Sequence, residues 1–130
     1  MGSVLDTSVL VGYERGGVLP PLADEEEVAI SAVTASELLH GVHWAATAEQ
    51  RARREAFVTT VLSAIPTLAF DLDTARVHAR VWADLASAGV APGSHDLMIA
   101  ATALVRGWSV VTRNERHFQR VPGLAVTAVR

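Results

Sequence analysis

The sequence predicts an α/β fold, a short parallel sheet of four or five strands flanked by helices. Three observations carry this. Brief apolar runs recur along the chain, longer stretches with helical spacing separate them, and none of the runs alternates polar with apolar residues. Strands covered by helices on both faces read as continuous apolar runs, and strands that alternate with helices imply βαβ units.

The elements follow in order. Val4 to Leu5 is the first brief strand. Gly16 to Pro21, GGVLPP, is a loop too short to act as a linker, and Val28 to Ile30 is the second strand. Thr34 opens Thr-Ala-Ser-Glu, a capping-box pattern, ahead of Leu38, Leu39 and Val42 at helical spacing. The next helix, Glu49 to Ala64, carries Phe57, Val61 and Ala64 on one face, and Thr67 to Phe70 reads as a strand. A helix over roughly 72 to 88 aligns Ala75, Ala79, Trp82 and Leu85, which makes Trp82 a core residue, and stops at Gly89. Ser94 caps a helix through Leu97, Ala100, Ala101 and Leu104 that ends at Gly107. Ser109 to Thr112 is a strand, and Val126 to Val129 a last one at an edge.

Composition narrows the chemistry. The 130 residues suit a single domain spanning 1–130, and half of them are apolar, enough for an ordinary core. No apolar stretch reaches the roughly 18 residues a membrane span needs, and no signal-peptide pattern stands at the start, so a cytoplasmic location is expected. Cysteine is absent, which excludes disulfides, thiol nucleophiles and thiolate zinc sites. All eleven basic residues are arginine, which excludes a P-loop lysine and Schiff-base chemistry. A net charge of −3 argues against a general nucleic-acid coat but not against an enzyme that meets RNA or DNA locally.

The acids fall in a telling pattern. Asp6 ends the first strand, Glu37 follows the second, Asp96 opens a helix, and Asn114 follows the strand Ser109 to Thr112. In open α/β sheets ligands bind at the carboxyl ends of the strands. Each acid also has a structural reading: Asp6 as an N-cap, Glu37 as the acid of a capping box, Asp96 as a complement to a helix dipole. Convergence would decide between these. Two carboxylates ~4 Å apart repel by roughly 4 kcal/mol at an effective dielectric of 20, so three at one sheet edge call for a cation. Oxygen-only donors favour Mg²⁺ or Mn²⁺, and the chemistry implied is phosphodiester hydrolysis.

Other candidates surround these acids. Ser8 and Thr112 are hydroxyls placed to orient a carboxylate or a water, while Thr7 reads as structural. Arg113, Arg116 and Arg120 either grip RNA phosphates in a fork or form surface ion pairs on a solvated loop, whereas Arg51, Arg53 and Arg54 read as a solvated helix face. Glu37, His40 and His43 offer a competing zinc reading, weakened by the i, i+3, i+6 spacing and by the absence of His-x-x-x-His. His95 and His117 flank the expected pocket. Trp44, Trp82, Trp108 and Phe118 do not form a spaced stacking platform.

Four ordered motifs, LDTSVL at 5 to 10, TASELLHG at 34 to 41, HDLMIAATALVRG at 95 to 107 and VTRNERHF at 111 to 118, closed by RVPGL at 120 to 124, resemble the PIN-domain ribonucleases and above all the VapC-type toxins. The resemblance implies a PIN-like fold, a Mg²⁺- or Mn²⁺-dependent endoribonuclease acting on tRNA or rRNA, a homodimer, and inhibition by a cognate VapB-type antitoxin. It matches the family's three acids to Asp6, Glu37 and Asp96 as metal ligands. Asn114 stands where a fourth acid is frequent, so a second ion would bind weakly; Asn114 would assist through its carbonyl oxygen, and the neighbouring Glu115 is a substitute ligand. The alternatives are a non-catalytic PIN-like module that binds RNA or protein, and a metal-dependent phosphatase or DNA nuclease using the same acids.

Overall fold

The computed structural model describes residues 2–16 and 26–129. Five parallel strands form one sheet: β1 (Gly2–Leu5), β2 (Glu27–Ser31), β3 (Thr67–Leu68), β4 (Ser109–Thr112) and β5 (Val126–Ala128), in the order β3-β2-β1-β4-β5. Helices α1 (Thr7–Glu14), α2 (Ala32–His43), α3 (Ala48–Ala64), α4 (Leu72–Ser87) and α5 (Ser94–Leu104) cover it, and a 3₁₀ turn (Glu115–His117) follows β4. The α/β expectation therefore holds. Residues 17–21 of the expected GGVLPP loop lie outside the described residues.

Successive strand residues point to opposite faces, and both faces are covered. Val4 and Val110 pair across β1 and β4 and pack with Val81, Leu85, Leu97, Ala100 and Phe118 beneath α4 and α5. Leu5 and Val111, the next pair, pack with Val9, Leu10, Ile30, Leu38, Val58 and Val61 beneath α1, α2 and α3. This two-sided burial explains why the strands read as unbroken apolar runs.

The order of strands positions the site. From β1 the chain builds outward to β2 and β3, then returns past β1 to lay down β4 and β5. The direction reverses between β1 and β4, and such a switch point leaves a crevice at the carboxyl ends of the strands. Asp6 stands at that point, its N–H donating to Val111 O at 2.9 Å.

Several local expectations are corrected. The cap of α2 is Ser31, which accepts from the Thr34 N–H at 3.1 Å; Thr34 is not the cap, and Glu37 is not a capping-box acid. Ser31-x-x-Thr34 and Thr34-x-x-Glu37 overlap in sequence, and the end of β2 selects the first. In α3 the buried residues are Val58 and Val61, with Ala64 exposed. Trp82 is 60 % exposed and is not core: the buried stripe of α4 runs Thr74, Val81, Leu85. Thr74 can be buried because Asp71 accepts both its N–H, at 2.9 Å, and its hydroxyl, at 2.8 Å. Strand β3 is shorter than expected, because only Thr67 and Leu68 pair with β2, and Phe70 instead sets its ring edge-on to His78. Gly93 precedes α5 in place of a Ser94 cap, and neither residue makes a capping side-chain bond. The expected stop at Gly89 holds, at φ 75°.

Candidate active site

Asp6 takes the N-cap position of α1 with extended backbone, yet its side chain does not cap the helix. It is 4 % exposed, and both of its donors reach one oxygen: Ser8 Oγ at 2.6 Å and Thr112 Oγ1 at 2.8 Å converge on Oδ2. Thr112 is itself aligned, because its hydroxyl oxygen accepts the Asn114 N–H at 2.9 Å, and Ser8 Oγ accepts the Arg113 N–H at 3.0 Å. Two hydroxyls from different elements thus lock one carboxylate edge while the other stays available. A structural cap would have been turned toward the helix N–H groups.

Glu37 enters from the second turn of α2, where it has no capping duty. Thr7 Oγ1 donates to its Oε1 at 2.7 Å and also lies 3.0 Å from Thr34 Oγ1, which in turn lies 3.2 Å from Ser31 Oγ. The hydroxyl chain Ser31–Thr34–Thr7 therefore ends on Glu37. The expectation that Thr7 is merely structural missed this, because its partners lie 27 and 30 residues away. His95 Nδ1 lies 3.4 Å from the second oxygen of Glu37.

Asp96 enters from the first turn of α5. Burial pushes its carboxyl above the usual range; His117, whose Nδ1 lies 3.1 Å from Asp96 Oδ2, opposes this, and the charges of Asp6 and Glu37 add to it. Asp96 therefore feels the charges of both other acids. Asp96 shares a cavity of about 430 Å³ with His117, Arg116 and Arg120, and Glu37 shares one of about 490 Å³ with Thr7, Ser36, His40 and His95. Arg113 lies elsewhere, its guanidinium packed on Gly12 of α1. Asn114 and Glu115 are exposed at the end of β4.

Among the described residues no three acidic or imidazole groups stand drawn together as a finished metal cage. The acids are held instead by hydroxyls and imidazoles. Their chemistry nevertheless fits a hard divalent ion: three carboxylates, no soft donor, and an Asp96 carboxyl raised first by burial and further by the charges of Asp6 and Glu37, which a cation would offset. The zinc reading gains nothing from the geometry, since the His40 ring stacks on Trp44 with centroids 5.8 Å apart.

Comparison with known proteins shows the family. The PIN domain family model matches residues 3–124. Ribonuclease VapC1 of Rickettsia felis is 35% identical over 130 residues, 99% of this chain and 97% of that protein. The tRNA(fMet)-specific endonuclease VapC of Salmonella typhimurium is 36% identical over 97 residues, 75% of this chain and 71% of that protein. The crystal structure of DNA-bound VapBC from Salmonella typhimurium superposes with a TM-score of 0.85 at 29% identity, covering 97% of this chain and 96% of that one. With a PIN domain model over residues 3–124 and a VapC relative 35% identical over nearly the whole chain, the chain belongs to the PIN-domain family of VapC ribonucleases.

Proposed function

We propose that this chain is the ribonuclease toxin of a VapBC-type toxin–antitoxin pair, hydrolysing RNA phosphodiester bonds with Asp6, Glu37 and Asp96 as the residues that hold a Mg²⁺ or Mn²⁺ ion. The observation that carries the reading is the buried Asp6, held by Ser8 and Thr112 yet unused as a helix cap. When bound, such an ion supplies Lewis acidity that makes water a nucleophile near neutral pH and offsets charge on the phosphate oxygens.

The chain's own residues do the rest. Ser8 and Thr112 fix the outer edge of Asp6, and Thr7 fixes Glu37, so the carboxylates need no reorganisation when the phosphate arrives. Arg116 and Arg120 line the Asp96 cavity and bind the phosphates that flank the scissile bond. Arg113 buttresses α1 and meets the RNA backbone farther out. Asn114, with Glu115 beside it, assists at the rim of β4. The relative named as tRNA(fMet)-specific supports tRNA as the substrate class, and the VapBC structure supports inhibition by a cognate VapB-type antitoxin. No described helix is long and apolar enough to cross a membrane, in keeping with a cytoplasmic site of action. For a homodimer, the exposed Trp82 beside an apolar hollow of about 450 Å³ between α4 and α5 is the face a second copy would cover.

The test is incubation of the pure protein with total RNA in Mg²⁺, in Mn²⁺ and in chelator, with Asp6→Asn and Asp96→Asn alongside. Cleavage should need the metal and fall at least about 100-fold in either variant. Cleavage that survives chelation, or persists in folded variants, overturns the reading.

A further inference from the structure

We propose that His40 and Trp44 form a base-stacking subsite for the nucleotide on the Glu37 side of the scissile phosphate, a reading that rests on the ribonuclease function above. Glu37, His40 and Trp44 are spaced i, i+3, i+7, so they share one face of α2 and its C-cap. At 1.5 Å of rise per residue, His40 lies about 4.5 Å and Trp44 about 10.5 Å along the axis from Glu37. His40 lines the same cavity as Glu37, and its ring stacks on Trp44 at 5.8 Å and 20°. Trp44 is 77 % exposed, so the outer surface of the pair is open. Gly41, between them, has open space where a side chain would stand, which leaves the approach unobstructed.

The surroundings select a nucleotide over an apolar peptide. Thr7, Ser36, Glu37 and His95 line the cavity, and an apolar segment would desolvate them without returning hydrogen bonds. An RNA strand instead offers a ring face to the aromatic pair and phosphates to nearby cations. Those cations are present. Arg54 donates to Gly41 O at 2.9 Å, and with Arg15 it lines a smaller adjoining cavity of about 210 Å³ that shares Thr7 and Glu37. A strand crossing the acids would then have arginines on both sides, Arg116 and Arg120 past Asp96, and Arg15 and Arg54 past Glu37.

The experiment compares an RNA oligonucleotide containing a site the protein cuts with bis(p-nitrophenyl) phosphate, a diester that carries no base, both in Mn²⁺. Trp44→Ala should raise KM for RNA about 5- to 100-fold, the range expected for loss of one base–aromatic stack, with kcat changed less than about twofold and hydrolysis of the small diester unaltered. Trp44→Phe should restore most of the RNA affinity, and His40→Ala should weaken RNA in the same sense. In Asp6→Asn protein, RNA should quench a tryptophan emission that Trp44→Phe removes. An unchanged KM in Trp44→Ala, equal losses on both substrates, or a loss confined to antitoxin binding overturns the subsite. Wild-type protein that cleaves no RNA overturns the ribonuclease reading and this subsite with it.

Discussion

Replacing Thr112 by valine removes a single oxygen from the site and leaves the volume at the end of β4 nearly unchanged. Thr112 is fully buried, and its hydroxyl donates to Asp6 Oδ2 at 2.8 Å. A hydrogen bond to a charged group contributes about 1.5–3 kcal/mol, more than a neutral one. The Asn114 N–H also loses its acceptor, but at an exposed position water replaces it. At about 4 °C per kcal/mol for a chain of this size, Tm should fall by about 6–12 °C. Freed of one of its two hydroxyls, Asp6 can rotate, and loss of such an orienting partner costs about 10- to 100-fold in metal affinity or rate. Thr112→Ser, which keeps the oxygen and loses a methyl, should cost about 1 kcal/mol and leave the rate within about threefold. Calorimetry and Mn²⁺ titration read both quantities, and the valine effect should shrink by about half in an Asp6→Asn background, where the charge is gone. A Tm drop under about 2 °C in Thr112→Val, with an unchanged Mn²⁺ isotherm, would refute the positioning argument built on this bond.

The remaining expectations concern charge, packing and the missing acid. Asp96 has its carboxyl raised in the folded protein, so the folded state binds this proton more tightly; the stability it contributes is full below the unfolded value of 3.8 and is lost as pH rises through the higher folded value. Metal-free Asp96→Asn should therefore be at least as stable as wild type at neutral pH, with the advantage disappearing on acidification, as thermal melts across pH would show. Leu85→Ala should cost about 2–5 kcal/mol in denaturant unfolding, while Trp82→Ala, at a largely exposed position, should cost under about 1 kcal/mol; a reversed order would return Trp82 to the core. Asn114→Asp should tighten Mn²⁺ binding by calorimetry, and an unchanged isotherm would remove position 114 from the ligand set.

Much of the sheet was legible because two-sided burial writes itself as unbroken apolar runs, and Ser109 to Thr112 matched β4 residue for residue. Helix faces were less so. In α4 the apolar residues Ala75, Ala79, Trp82 and Leu85 suggested one stripe; Leu85 is buried as read, but the helix turned Trp82 outward and buried Thr74, a polar residue whose hydroxyl Asp71 satisfies locally. Hydropathy carries no record of a hydrogen bond that makes a threonine burial cheap, so the stripe was misplaced and Trp82 with it.

The same blindness hid the supports of the site. Asp6 and Glu37 announced themselves by following strands and Asp96 by opening a helix, positions the chain order alone reveals. What Thr7 does depends on α1 and α2 lying side by side, a fact of tertiary packing that brings its hydroxyl to Glu37 across 30 residues. Glu37 shows the converse, since Thr-Ala-Ser-Glu satisfied a capping rule that the fold did not use. Once Ser31 is seen to cap α2, the helix start makes no demand for a carboxylate at position 37. The acid is then accounted for by what it faces, Thr7 on one oxygen and His95 on the other, at the edge where Asp6 and Asp96 also stand. Removing a local structural explanation leaves Thr7 and His95 to account for how Glu37 is held, the arrangement the proposed metal-holding role requires of it.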